Sequence, residues 1–317
     1  MLSGLRAAIV LGGLLMSGAW GFAPLPAAAQ GAMSDETISV GGRDRRFLVH
    51  DFSGGAKAPL VIVLHGGGGN PENAVSMTQF DVVAAREHLI AVYPGGTGGL
   101  PGGRVLTWNA GHCCAYALRQ KVDDVGFVGA VIDRLVSAGK ADPDRVYVTG
   151  MSNGGMMSHV LARSLPGKVA AIAPVVGAVF GDEPPPAGPV AVLVLVGADD
   201  RIVPAAGGPL GGAAARGTAP AEDRNVAPAR AQADYWARAN GCSASDTTQE
   251  TASVRTVWRG CKGGADVVMQ VVSNNGHAWP GGRPGREGAN PPTPDFNASE
   301  VIWAFFKAHP CTGRGGR

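Results

Sequence analysis

The 317-residue chain is short of several things, and each shortage removes a class of function. Charged residues make up 16 % and nearly cancel, leaving a formal charge of +2, and Lys and Arg nowhere cluster. Such a surface offers a polyanion no track, so nucleic acid is not an expected partner. No two histidines fall at metal-ligand spacing and no Asp-rich calcium loop occurs, so no metal is expected. Glycine is plentiful at 49 residues, but never in the spacing of a dinucleotide or Walker loop, and no nucleotide or other cofactor is implied. Aromatic residues are few at 6 %, whereas an apolar content of 45 % is ample for a core. Past residue 30 no apolar stretch is long enough to span a bilayer, so no membrane contact is expected of the mature chain.

The first residues read differently from the rest. Arg6 supplies a minimal basic region, Ala7 to Met16 is apolar, and Ala27-Ala28-Ala29 offers a small-residue cleavage site. That pattern predicts a secretory signal over 1–29, a single domain over 30–317, and a secreted product, extracellular or periplasmic. Export places the five cysteines, Cys113, Cys114, Cys242, Cys261 and Cys311, where disulfides persist, although an odd number cannot all pair within one chain.

Along the chain, apolar runs alternate with helical spacing. Glu36 to Phe52 alternates around Gly41-Gly42 as a β-hairpin. Leu60–Leu64, Leu89–Tyr93, Val146–Thr149, Val169–Val179, Val190–Val196 and Val267–Val272 read as strands, mostly continuous apolar runs buried on both faces. Helical spacing appears around Phe80–Arg86, on Val128, Val131, Ile132 and Leu135 behind a cap at Asp123 or Asp124, after Ser152, over Ala229–Asn240 and over Ser299–His309. This order predicts an α/β doubly wound, mostly parallel sheet with helices on both faces. Gly181–Gly188 and Ala205–Ala229, rich in Pro, Gly and Ala, read as surface insertions.

The strand-to-helix junction at Arg145–Ser158 carries Gly150-x-Ser152-x-Gly154. A serine on such a turn stands clear of its neighbours at a helix N-terminus, which favours developing negative charge. Serine is a weak nucleophile and needs a base oriented by an acid. Two later strands end in suitable loops: Gly197-Ala-Asp199-Asp200, offering either aspartate, and Asn274-Asn-Gly-His277, offering an imidazole. His112, His159 and His309 lie where structural or solvated roles are expected. Oxyanion donors are expected from the amide of Asn153 and from the loop His65-Gly66-Gly67-Gly68, with Gly67 first and Gly66 close behind.

Beyond these residues, the chain resembles the secreted esterase family of polyhydroxybutyrate depolymerases and feruloyl or acetylxylan esterases. The resemblance runs from about Ile38 to about Phe306. It is carried by Leu64-His-Gly-Gly-Gly-Gly-Asn70, Trp108-Asn-Ala-Gly-His-Cys-Cys114, Val122-Asp-Asp-Val-Gly-Phe127 and Gly150-Met-Ser-Asn-Gly-Gly155, and by Trp236–Cys242 and Gly276-His-Ala-Trp-Pro-Gly-Gly282. It implies the α/β-hydrolase fold and a triad of Ser152, Asp200 and His277. The acid is chosen by the family pattern Gly197-x-x-Asp200-x-x-Val203-Pro204. It also implies pairing of Cys242 with Cys261 and, as substrate, a feruloylated or acetylated polysaccharide fragment or a hydroxyalkanoate oligomer or polymer. Trp108 and Trp279 are candidate pocket walls for such a substrate. The alanine- and proline-rich stretch 205–229 departs from the family pattern, which expects a tyrosine after Val203-Pro204. A non-catalytic carbohydrate- or surface-binding protein keeping the same fold is the competing expectation.

Overall fold

The computed structural model describes Met1 and residues 31–211 and 225–311. The expected signal over 1–29, apart from Met1, and the middle of the 205–229 insertion therefore lie outside the described residues.

Two strands open the fold, β1 (Ala32–Val40) and β2 (Arg43–Asp51), paired antiparallel across Gly41 and Gly42. Both turn residues sit at positive φ, 57° and 73°, which glycine adopts without a Cβ clash. β3 (Ala58–Leu64), β4 (Ile90–Pro94), β5 (Ala141–Met151), β6 (Ala171–Val175), β7 (Ala191–Gly197) and β10 (Val267–Val272) form the parallel centre. β8 (Ala244–Gln249) and β9 (Ser253–Arg259) complete the far edge as an antiparallel hairpin. The sheet order is β1-β2-β4-β3-β5-β6-β7-β10-β9-β8. A parallel core is thus finished at each side by an antiparallel pair.

Each central strand is apolar throughout because both faces are covered. Leu60, Ile62 and Leu64 of β3, with Val192, Val194 and Val196 of β7, face one core, while Val61, Val63, Leu193 and Leu195 face the other. The first core is covered by α4 (Asp124–Ser137), α5 (Asn153–Ser164) and α6 (Ala229–Ala239) through Phe127, Val131, Met157, Leu161 and Trp236. The second is covered by α1 (Pro71–Thr78), α2 (Phe80–Glu87) and α7 (Ala298–Ala308) through Met77, Phe80, Val83, Ile302 and Phe306. The short α3 (Ala115–Arg119) follows the cysteine pair. Cys242 and Cys261 are bonded, as the family resemblance implied, tying the end of α6 to the segment after β9. The choice left open at the cap of α4 is resolved: Asp123 Oδ1 accepts from Gly126 N at 2.7 Å, and Asp124 turns inward.

The expected strands and long helices fall where periodicity placed them. α1 and the β8–β9 hairpin carry no such signal: every residue of β8 is exposed, so no apolar period marks it. Val169–Val179 is strand only over β6, since the chain turns at Val176, where φ is 43°.

The sheet positions the site through one contact. A Cβ on Gly150 would lie 2.7 Å from Leu64 Cβ, and one on Gly154 would lie 2.5 Å from the His65 carbonyl oxygen. The elbow and the end of β3 touch backbone to backbone. Gly154→Ala should therefore lower unfolding stability by about 2–3 kcal/mol, measured by urea denaturation. An unchanged midpoint would show that the junction has room to spare.

Candidate active site

Ser152 occupies the turn between β5 and α5 at φ 56° and ψ −120°, a conformation that costs of order 1–3 kcal/mol for a residue with a side chain. Two backbone bonds hold it there: Ser152 N–H donates to Val175 O at 2.9 Å, and its carbonyl accepts from Met156 N at 2.8 Å. The three residues proposed for catalysis, each from a different loop at the carboxyl edge of the sheet, stand in one line. Ser152 Oγ lies 2.9 Å from His277 Nε2, and His277 Nδ1 lies 2.8 Å from Asp200 Oδ2. The other Asp200 oxygen accepts from Ile202 N at 2.8 Å and Val203 N at 2.9 Å, which fixes the carboxylate plane. Asp199 is exposed, and its amide donates to Asn275 O, so of the two aspartates only Asp200 reaches the imidazole. The His277 loop is held in turn, its amide donating to Asn290 Oδ1 at 3.2 Å.

The loop His65–Gly69, from which an oxyanion donor is expected, is clamped from several sides. Gly96 N–H donates to His65 Nε2 at 2.9 Å, so that nitrogen is the acceptor and the ring proton sits on Nδ1, which donates to Gly66 O at 2.8 Å. Gly69 N–H donates to the same carbonyl at 3.0 Å. Gly66 C=O and Gly67 N–H belong to one planar peptide and point opposite ways, so anchoring the carbonyl aims the amide. Among the described residues neither the Gly67 nor the Asn153 amide meets a protein acceptor. A Cβ on Gly67 would lie 3.6 Å from Asn153 Cβ, so the two donors are neighbours.

The Asn153 side chain has a second task. Its Oδ1 accepts from Trp108 N at 2.7 Å and its Nδ2 donates to Trp108 O at 3.1 Å, pairing with that backbone as a neighbouring strand would. Trp108 Nε1 donates to His65 O at 2.9 Å, which closes the circuit between the two loops. The expectation that Trp108 and Trp279 line a substrate pocket does not hold. Their exposures are 0 % and 1 %, and Trp279 Nε1 donates to Ser299 Oγ within the core. Trp108 braces the His65 loop from behind, while Trp279 belongs to the second core.

Sequence reasoning missed the buried ion pair beneath this loop. Arg45 from β2 donates to Asp124 Oδ1 at 2.6 Å and to Gly95 O at 3.1 Å, and Asp124 Oδ2 accepts from Asn109 N at 2.7 Å. Burial pushes the Asp124 carboxyl up, against the pull of the Arg45 guanidinium. Of the remaining histidines, His159 is buried and accepts from Trp236 Nε1 at 2.9 Å. His112 Nε2 lies 2.9 Å from Asp182 Oδ1, and with Glu183 these residues place three metal-type donors within 4.8 Å of one another. Both Glu183 oxygens already accept amides, from Phe180 at 2.6 Å and Gly181 at 2.9 Å.

The chain is similar to known esterases. Residues 51–201 match the family described as esterase PHB depolymerase, so the resemblance carried by the motifs is borne out. The chain is 29 % identical over 326 residues to the putative esterase NocK of Nocardia uniformis subsp. tsuyamanensis, covering 88 % of this chain and 90 % of that one. It is also 29 % identical over 239 residues to feruloyl esterase B of Piromyces equi, covering 74 % of this chain but 42 % of that protein. Against poly(3-hydroxyalkanoate) depolymerase C of Paucimonas lemoignei the identity is 29 % over 128 residues, 38 % of this chain and 28 % of that one. The chain thus spans less than half the length of the last two. Among solved structures, an acetyl xylan esterase from Aspergillus awamori aligns with a TM-score of 0.58 at 14 % identity, over 88 % of this chain and 100 % of that one. The fold is that of an α/β-hydrolase.

Two imidazoles make stability depend on pH. Burial lowers His65 from 6.5 to about 4 and His159 from 6.5 to about 3, so both stay neutral in the folded chain. Between about pH 6.5 and 4 the unfolded chain binds more protons than the folded one. Their contribution is therefore complete above the unfolded value and lost as pH falls toward the folded ones. Urea midpoints should decline from pH 7.5 to 5, and His159→Asn should flatten the decline. A slope unaffected by that change would contradict a neutral, buried His159.

Proposed function

We propose, from this kinship with esterases of the PHB depolymerase family, that the chain is a serine hydrolase of carboxylic esters working through an acyl-enzyme. The observation that carries the reading is the continuous line Ser152 Oγ–His277 Nε2 and His277 Nδ1–Asp200 Oδ2 at 2.9 and 2.8 Å. In the first step Ser152 Oγ attacks the ester carbonyl while His277 Nε2 takes its proton. The carbonyl oxygen becomes an oxyanion, received by the amides of Gly67 and Asn153. Collapse of the tetrahedral species breaks the bond to the alcohol, which leaves with the proton from His277. Water then repeats the sequence on the acyl-enzyme, releasing the acid and restoring Ser152. Asp200, buried and held by two amides, keeps the proton of neutral His277 on Nδ1 and stabilises the imidazolium formed at each step.

The relatives' names support two substrate classes, feruloyl or acetyl esters of polysaccharide and hydroxyalkanoate esters. We place the enzyme outside the cytoplasm, on the leader read over 1–29 and the Cys242–Cys261 bond. No helix among the described residues is long and apolar enough to cross a membrane.

Ser152→Ala should reduce kcat/KM for a p-nitrophenyl ester by at least about a thousandfold with an unchanged melting curve. Substantial turnover by that folded variant would reject the mechanism.

A further inference from the structure

The segment between β4 and Trp108 folds back on the oxyanion loop as a short arm. Thr97 and Thr107 exchange backbone hydrogen bonds at 2.9 and 3.0 Å, Leu100 bridges Arg104, and Pro101-Gly102-Gly103 forms the tip. The returning limb pairs with the oxyanion loop itself: Gly68 N–H donates to Leu106 O at 2.8 Å, and Leu106 N–H donates to Gly69 O at 3.1 Å. Tyr116 braces the arm from beneath, its ring so near Gly99 that a Cβ there would lie 2.9 Å away. The arm is therefore fixed relative to the Gly67 amide.

Two large apolar side chains on this arm face water, Leu100 at 58 % and Val105 at 55 % exposure. Among the described residues the others so exposed are Met1, Met33 on β1 and Val82 on α2. Val105 also stands at φ 55°, where a β-branched residue is strained. Its side chain contributes nothing to either core. It does border the site: a Cβ on Gly68, one residue past the proposed oxyanion donor, would lie 4.0 Å from Val105 Cγ1. Val105 thus stands beside the side-chain-free stretch that adjoins the Gly67 amide, itself next to Asn153.

We propose that Val105, at the base of the arm beside Gly68, forms an apolar contact for the hydrocarbon portion of the bound ester. The chemistry fits a hydroxycinnamoyl ring or the aliphatic chain of a hydroxyalkanoate oligomer, each of which loses water-exposed apolar area against the arm. The inference rests on the esterase reading and narrows it: selectivity for bulky over acetyl esters comes from the arm, because the two tryptophans are turned into the core.

The test compares kcat/KM for p-nitrophenyl octanoate and p-nitrophenyl acetate in the native chain and in a Val105→Gly variant. Glycine accepts the φ at position 105, so the fold should survive, which a melting curve checks. The octanoate-to-acetate ratio should fall about tenfold, mainly through KM. Val82→Ser, an equally exposed apolar residue on α2, should leave the ratio as it was. Methyl ferulate and 3-hydroxybutyrate oligomers assayed alongside identify the natural occupant as the one whose turnover suffers more. A ratio within about twofold of native overturns the contact while leaving the esterase reading intact. Absence of Ser152-dependent turnover on all four esters removes that reading and the contact with it.

Discussion

The site depends on the approach of two backbones. β3 ends at Leu64 and α5 begins just past Ser152, and the structure leaves no room for a methyl group between them at Gly150 or Gly154. That contact sets Ser152, the proposed nucleophile, beside the loop that follows β3, which is why Gly67 and Asn153 are neighbours although they come from distant parts of the chain. The same packing continues behind the elbow, where Gly155 meets Gly177 after β6. Catalysis by a hydroxyl needs donors already aimed when charge develops, since reorienting them during reaction would raise the barrier. Here the aim is built in by sterics.

Hydrogen bonds then hold what the packing positions. His65 is useful because burial keeps it neutral: one ring nitrogen accepts from Gly96 while the other donates to Gly66 O. A protonated ring could make only the second bond and would carry a buried charge. Asn153, whose amide is a proposed oxyanion donor, also pairs its side chain with the Trp108 backbone. Beneath them Arg45 and Asp124 tie the first hairpin to the loop at Asn109 and to α4. Removing one partner of such a buried pair costs about 3–5 kcal/mol, because the other charge is left uncompensated.

Ser152 and His277, the proposed nucleophile and base, could be picked from the sequence because each follows a recognisable buried strand, and a parallel sheet brings such strand ends to one edge. Asp199 and Asp200 could not be separated by that logic, since a one-residue offset leaves both in the same loop. Only the family pattern chose Asp200, and the reason lies in the turn that points it inward while Asp199 faces solvent. The tryptophans failed for a related cause: position beside a functional residue does not say which way a ring points, and both point into the core. Arg45 and Asp124 lie 79 residues apart and share no local pattern, so their pairing needed the fold. β8 escaped because an edge strand exposed along its whole length has no apolar period to read.

The central claim is that folding activates one hydroxyl among the chain's serines. The most direct test is brief exposure of the native protein to a fluorophosphonate, followed by tryptic digestion and mass mapping. The account predicts one covalent adduct, on the peptide spanning residues 146–163 at Ser152, and its loss when urea unfolds the chain first. No adduct on the native protein, or an adduct at another serine, would contradict it.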